Sequence, residues 1–241
     1  MNKSILFERD ENVATITINR EDRRNSLDHV AMKALASCLE TCAEEDIRVA
    51  IITGAGGKSF CAGDDVKAYA DRSKDESRAH FEHGLRTFDA LERMPCLTIA
   101  AIDGFCLGGG LELALCCDLR VAGRGALFGL PEILKLNALP SWGGLTRLSK
   151  TVGQGAAKRI SFMGEKIGAE EAFSMGLIAR VVDDNDVLAD TMTFAKAFAD
   201  NVDRETIDVA KRVINDAGTL TPTTATLVNL LAERSQAFEG V

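Results

Sequence analysis

Two glutamates twenty residues apart, Glu112 and Glu132, are the part of this chain best suited to chemistry, because each stands beside glycine or proline in otherwise apolar sequence. A carboxylate among apolar residues is costly unless something uses it. A pair of them can divide the work of acid and base between two environments. Glu112 follows three consecutive glycines, Gly108, Gly109 and Gly110, and Glu132 follows Pro131 in FGLPE. The run 111–117 sets Leu111, Ala114 and Leu115 on one helical face, which starts a helix at the glycines. The first amides of that helix have no partner within it, and the macrodipole adds partial positive charge, so the glycine turn offers donors to an anionic oxygen. Glycine also lets a ligand come close to the backbone. Taken singly, each feature has a plainer meaning: glycines serve tight packing, and a first-turn glutamate complements the dipole. It is the combination with Pro131-Glu132 that is specific.

A second glycine-bearing turn lies upstream in GAGGKSFCAGDD. Its residues Cys61, Ala62, Gly63, Asp64 and Asp65 can present amides as the triplet does, and two such turns can share one oxyanion. The same stretch is not a nucleotide loop. GGKS lacks the required glycine, since Ile52 stands there, and a dinucleotide fingerprint started at Gly54 ends on Ser59. His80 and His83, three apart on a predicted helix, have no evident third ligand and read as solvated side chains. No metal site is expected.

Around these turns the chain alternates strand and helix. Leu97–Ile102 is a continuous apolar run of the kind that fills a strand buried on both faces, broken by Asp103 and Gly104. Before it come strands at 5–8 and Val13–Ile18, the second alternating Ala14, Ile16 and Ile18 with Thr15 and Thr17, as in a half-buried edge hairpin. A helix running to Glu45, capped by Asn25 or Ser26, leads to a strand at 49–53 and completes a βαβ unit. The spacing predicts a further helix over 77–93. After Glu132 come two helical pieces punctuated by Gly153 and Gly164, a strand over 178–182 and three helices. Alternation ends near Asp186, which divides the chain into a core, 1–186, and a helical region, 187–241, expected to pack on something else.

Composition narrows the class. With 241 residues and 46% hydrophobic content the chain can bury one sizeable core. A net charge of −8 without a basic run argues against a nucleic-acid partner. The apolar stretch before Cys117 has the wrong chemistry for a membrane span, since Asp103, Glu112 and the glycine triplet would be expensive in lipid. The start, MNKSILFERD, has no apolar signal core, and the seven cysteines lack CxxC metal spacing. Core thiols in the cytoplasm are the expectation.

The segments NREDRRNSL, KSFCAGDDVK, IAAIDGFCLGGGLELALCCDLRVAG, FGLPEI, PSWGGLTRL and IGAEEAFSMGLIARVV occur in the order and spacing of the crotonase superfamily, the enoyl-CoA hydratase/isomerase family, which the chain resembles over nearly its whole length. The resemblance implies an α/β fold, a spiral of ββα repeats carrying an acyl-CoA site, followed by a C-terminal helical region that joins subunits into a homotrimer or dimer of trimers. It implies addition of water across the 2,3 double bond of an enoyl-CoA thioester, with Glu112 and Glu132 as the acid/base pair. Its oxyanion-hole amides fall on Ala62 and Gly109, Ala62 to Asp65 line the acyl and pantetheine path, and the nucleotide end of coenzyme A lies near Arg23 and Arg24. No metal or redox cofactor is required; coenzyme A enters as part of the substrate. Isomerases, decarboxylases and thioester hydrolases share that oxyanion hole, and a non-catalytic binding scaffold is the alternative from another class. Three departures stand out: Asp64 where the family has a small residue, Glu21 in place of a proline, and one extra residue between Glu132 and Pro140, with Asn137 near a usual glycine.

Overall fold

The computed structural model describes residues 4–69, 73–184 and 186–216. In chain order the first elements are β1 (Ile5–Asp10), β2 (Val13–Ile18), α1 (His29–Glu44), β3 (Val49–Gly54), β4 (Ser59–Cys61), α2 (Lys74–Glu92), β5 (Leu97–Ile102), β6 (Phe105–Leu107) and α3 (Gly109–Cys116). They continue as β7 (Leu119–Gly123), β8 (Leu127–Gly129), α4 (Glu132–Leu136), α5 (Gly144–Met163), β9 (Ile167–Gly168), α6 (Ala169–Ser174), β10 (Arg180–Val182), α7 (Val187–Asn201) and α8 (Arg204–Asn215).

The strands form two sheets. The larger has the order β1-β2-β3-β5-β7-β10, antiparallel only at the β1–β2 hairpin, and the smaller has the order β4-β6-β8-β9. Each of the pairs β3 and β4, β5 and β6, β7 and β8 places one strand in each sheet before a helix follows, so the chain winds as a spiral of ββα turns. Parallel pairing demands apolar strands covered on both faces, and β3 and β5 supply them. Along β3, Ala50 and Ile52 join the core shared with α1, while Val49 and Ile51 face a second core; β5 divides in the same way between Ala100 and Ile102 on one side and Ile99 and Ala101 on the other.

That second core corrects two expectations. The helical region after 186 begins by packing on this chain's own sheet: α7 contributes Val187, Ala195 and Ala199, with Met192, Phe194 and Phe198 packed alongside. Without it the outer faces of β3 and β5 would be bare. Nor is β2 half-buried, for even Thr15 is only 6% exposed. β2 is flanked by β1 and β3 and lies between α1 and α7, so β1 alone is the edge of the hairpin. Leu227, Leu230, Leu231 and Phe238, expected to carry subunit contacts, lie outside the described residues.

Helix ends follow local chemistry. α1 is capped by Asp28, whose Oδ1 accepts from the Ala31 amide at 2.8 Å, and not by Asn25 or Ser26. Asn25 is otherwise engaged: its Nδ2 donates to the carbonyls of Ser59 and Ala55 at 2.6 and 3.0 Å, pinning the 19–27 loop to the turn between β3 and β4. α2 begins earlier than its apolar spacing predicts, because Ser73 and Glu76 form a capping box. α5 is two helical pieces meeting at Gly153 and closed by Gly164, as the glycine positions predict. No helix among the described residues is long and apolar enough to cross a membrane.

Candidate active site

α3 starts where the glycines predict, with Gly108 as its cap, and every residue from Gly109 to Cys116 is buried. Glu112 therefore sits 2% exposed in the first turn. Its Oε1 accepts from the amides of Trp142 and Gly144, both at 2.8 Å, so the loop before α5 wraps the carboxylate. Arg147 ties that loop to α2, donating to the Trp142 carbonyl at 2.6 Å and to Asp89 and Glu92 at 2.6 and 2.8 Å. Burial pushes the Glu112 carboxyl up, while the Gly144 and Trp142 amides and the Arg147 charge oppose that rise.

Glu132 begins α4 and comes back to the same place. A Cβ at Gly108 would lie 2.7 Å from Glu132 Oε1, and Gly108 has φ +55°, so glycine is required there both by conformation and by the carboxylate's approach. Glu132 Oε2 is buried without a hydrogen-bond partner. Burial pushes this carboxyl up to about 7, and the neighbouring Glu112 charge adds to the rise. Asn137 ends α4 in the left-handed region at φ +50°. Asparagine tolerates that conformation, so it serves where glycine is usual.

The second turn arrives from the other side of the α3 N-terminus. A Cβ at Gly63 would lie 2.8 Å from the Gly109 nitrogen, and one at Gly109 would lie 3.3 Å from the Asp64 nitrogen. The Ala62 amide is not free, since it donates to the Arg24 carbonyl at 3.0 Å. Ala62 is the expected partner of Gly109; the upstream amide that approaches Gly109, with no backbone acceptor among the described residues, is that of Asp64. The Asp65 amide is also taken, by the Leu27 carbonyl at 3.1 Å, and its carboxylate pairs with Arg20 at 3.1 Å. Asp65 thus joins this turn to the 19–27 loop.

The histidine expectation is overturned as well. His80 is 5% exposed, and its Nε2 lies 2.9 Å from Asp64 Oδ1. Trp142 stands edge-on to that ring at 5.6 Å and to Phe88 at 5.1 Å. Sequence reading missed Trp142, which is wedged between α2 and α3: a Cβ at Gly84 would lie 2.3 Å from its Nε1, and one at Gly109 would lie 2.4 Å from its ring. The signal was present in α2, where Gly84 interrupts the line of His80 and Phe88 one turn from each.

Arg24 lines a cleft of about 700 Å³ with Asn25, Lys58, Ser59 and Phe105, its guanidinium 6.0 Å from the Phe105 ring. Arg23 is exposed and instead lies 3.7 Å from Asp22. All seven cysteines are free thiols. Burial pushes the Cys61 thiol, beside the turn, up to about 12, which leaves it inert as a nucleophile. No cluster of three or more potential metal ligands occurs among the described residues.

Two sheets spiralling through ββα turns, with two glycine-bearing turns meeting beside a buried and a half-buried carboxylate, define a crotonase-type α/β enzyme. The sequence model of the enoyl-CoA hydratase/isomerase family matches residues 8–236, and the chain belongs to that family. It is 37% identical over 195 residues to a crotonyl-CoA hydratase of Syntrophomonas wolfei, a match covering 80% of this chain and 74% of the relative. It is 35% identical over 213 residues to a short-chain-enoyl-CoA hydratase of Clostridium acetobutylicum, covering 88% and 81%. The crystal structure of an enoyl-CoA hydratase from Bacillus anthracis superposes with a TM-score of 0.89 at 34% identity, covering 95% of this chain and 89% of that one.

Proposed function

We propose that this enzyme adds water across the 2,3 double bond of an enoyl-CoA thioester. The observation that carries the reading is the unequal pair of carboxylates beside the glycine turns, Glu112 buried and Glu132 half-buried with its Oε2 out of solvent. Glu112, whose Oε1 accepts two amides that favour the ionised form, takes a proton from the attacking water. Glu132, its carboxyl at about 7, keeps a proton near neutrality and delivers it to the α-carbon. Negative charge that develops on the thioester oxygen is met by the amides of Gly109 and Asp64 at the N-terminus of α3. One such donor is worth roughly 3 to 4 kcal/mol in the transition state. None of these steps calls for a metal or a redox cofactor.

Arg24 and Lys58, together in the cleft behind the turn, suit the phosphates of coenzyme A. A homotrimer or dimer of trimers is part of the reading, supported by the exposed Leu134, Leu136, Leu139, Phe162 and Met163 on and beside α4 and the end of α5. Seven unpaired thiols suit the reducing cytoplasm. The test is a panel of 2-enoyl-CoA thioesters of increasing chain length, followed by loss of the conjugated chromophore. Hydration of at least one supports the reading; conversion of 3-enoyl thioesters without hydration would replace it by isomerisation.

A further inference from the structure

An aspartate beside an oxyanion turn is a liability for enolate chemistry. Its charge opposes the charge that forms on the substrate. Asp64 stands there, and its surroundings say how the conflict is handled. Oδ1 meets His80 Nε2 at 2.9 Å, and Oδ2 is buried without a partner, so His80 is its one side-chain contact of this kind among the described residues. An ionised carboxylate can only accept, which puts the proton on Nε2. His80 itself is fixed: its side chain is 2% exposed and its ring is backed by Trp142 and Phe81. Trp142 in turn donates its amide to Glu112 and lies on Gly109. One helical residue therefore touches the side chain whose amide approaches Gly109, and braces the tryptophan that holds the base.

We infer that His80 is a positioning residue, which acts through Asp64 to hold the oxyanion amide in place and to keep a proton opposite the carboxylate beside it. This rests on the proposed hydration, and it assigns to the Asp64–His80 pair a task that a small residue at position 64 would not need. Removing His80 leaves a half-buried carboxylate unpaired next to the forming enolate; removing the carboxylate first takes away that part of the cost and leaves only the packing of His80 against Trp142.

The experiment is a cycle of His80→Ala, Asp64→Asn and the double variant, in the full chain. With the 2-enoyl-CoA that the natural enzyme hydrates best, His80→Ala should lower kcat by roughly 10- to 100-fold, less than the roughly 10²- to 10³-fold cost of removing an oxyanion donor outright, because the Asp64 amide is displaced and not deleted. In the Asp64→Asn background the same change should cost less than about threefold. His80→Gln, which keeps an N–H donor, should recover part of the loss, and it takes the place of His80→Ala in the cycle if that variant does not fold. Binding supplies a readout free of turnover: the affinity for a 3-ketoacyl-CoA, whose enolate carries charge on the thioester oxygen, relative to a saturated acyl-CoA. That ratio should fall with kcat in His80→Ala, while saturated acyl-CoA binds within about threefold. Equal losses in both backgrounds, or no loss at all, would overturn the inference and leave His80 a packing residue under Trp142. If the natural enzyme hydrated no enoyl-CoA, the proposed reaction would fall, while the binding ratio would still read the role of His80.

Discussion

Replacing Glu132 by glutamine should separate stability from turnover. Burial carries this carboxyl from 4.5 to about 7, with one oxygen left unbonded. A raised folded pKa means that the native state holds the proton longer than the unfolded chain does, so ionisation works against folding. Below about pH 4.5 both states are protonated and nothing is lost. As pH rises from there to about 7 stability declines, and above that it stays at the lower level. At about 1.4 kcal/mol for each pH unit between the two values, the decline reaches about 3 kcal/mol, an upper figure because the side chain keeps some contact with solvent. Glutamine cannot ionise and escapes the penalty. Urea denaturation of both proteins at matched concentration should show Glu132→Gln gaining on the natural protein between about pH 4 and pH 8, by at most about 3 kcal/mol. Its kcat should meanwhile drop by roughly 10²-fold or more, the scale for a positioned acid. A stability difference that did not change with pH would refute the burial argument. Near-full turnover in Glu132→Gln, with Glu112→Gln inactive, would refute the two-carboxylate mechanism in favour of a single base.

Glu112→Gln should lower kcat by roughly 10²-fold or more while saturated acyl-CoA binds unchanged, since the Gly109 and Asp64 amides remain; isothermal titration checks the binding. Gly84→Ala drives a methyl group into the Trp142 indole and should cost about 1 to 3 kcal/mol, read as a lower denaturation midpoint. Treatment with a chelator should leave hydration unchanged, and a strong loss restored by zinc would contradict a purely carboxylate mechanism. Light scattering should find a trimer or hexamer at micromolar concentration, and a stable monomer would count against the assembly.

Local signals determined a large part of this protein. The apolar run Leu97–Ile102, the glycines before Glu112 and the helical spacing after them specified a buried strand, a turn and a helix start, because each depends on neighbours within one or two turns of chain. The glycine triplet and the two glutamates named from the sequence lie close together around the start of α3. What the sequence could not settle were choices among groups distant along the chain. The amides of Ala62 and Asp65 in the 61–65 turn are taken by the carbonyls of Arg24 and Leu27, which reach across from a separate loop. Whether His80 faces water or Asp64 depends on how α2 lies over α3, and Trp142 sets that spacing from more than fifty residues away. α7 looked like an appendage because its apolar face has no partner nearby in sequence; it was the outer face of β3 and β5, built from residues near 50 and 100, that supplied one. Periodicity reports which face of an element is apolar, and only the tertiary structure decides what that face meets.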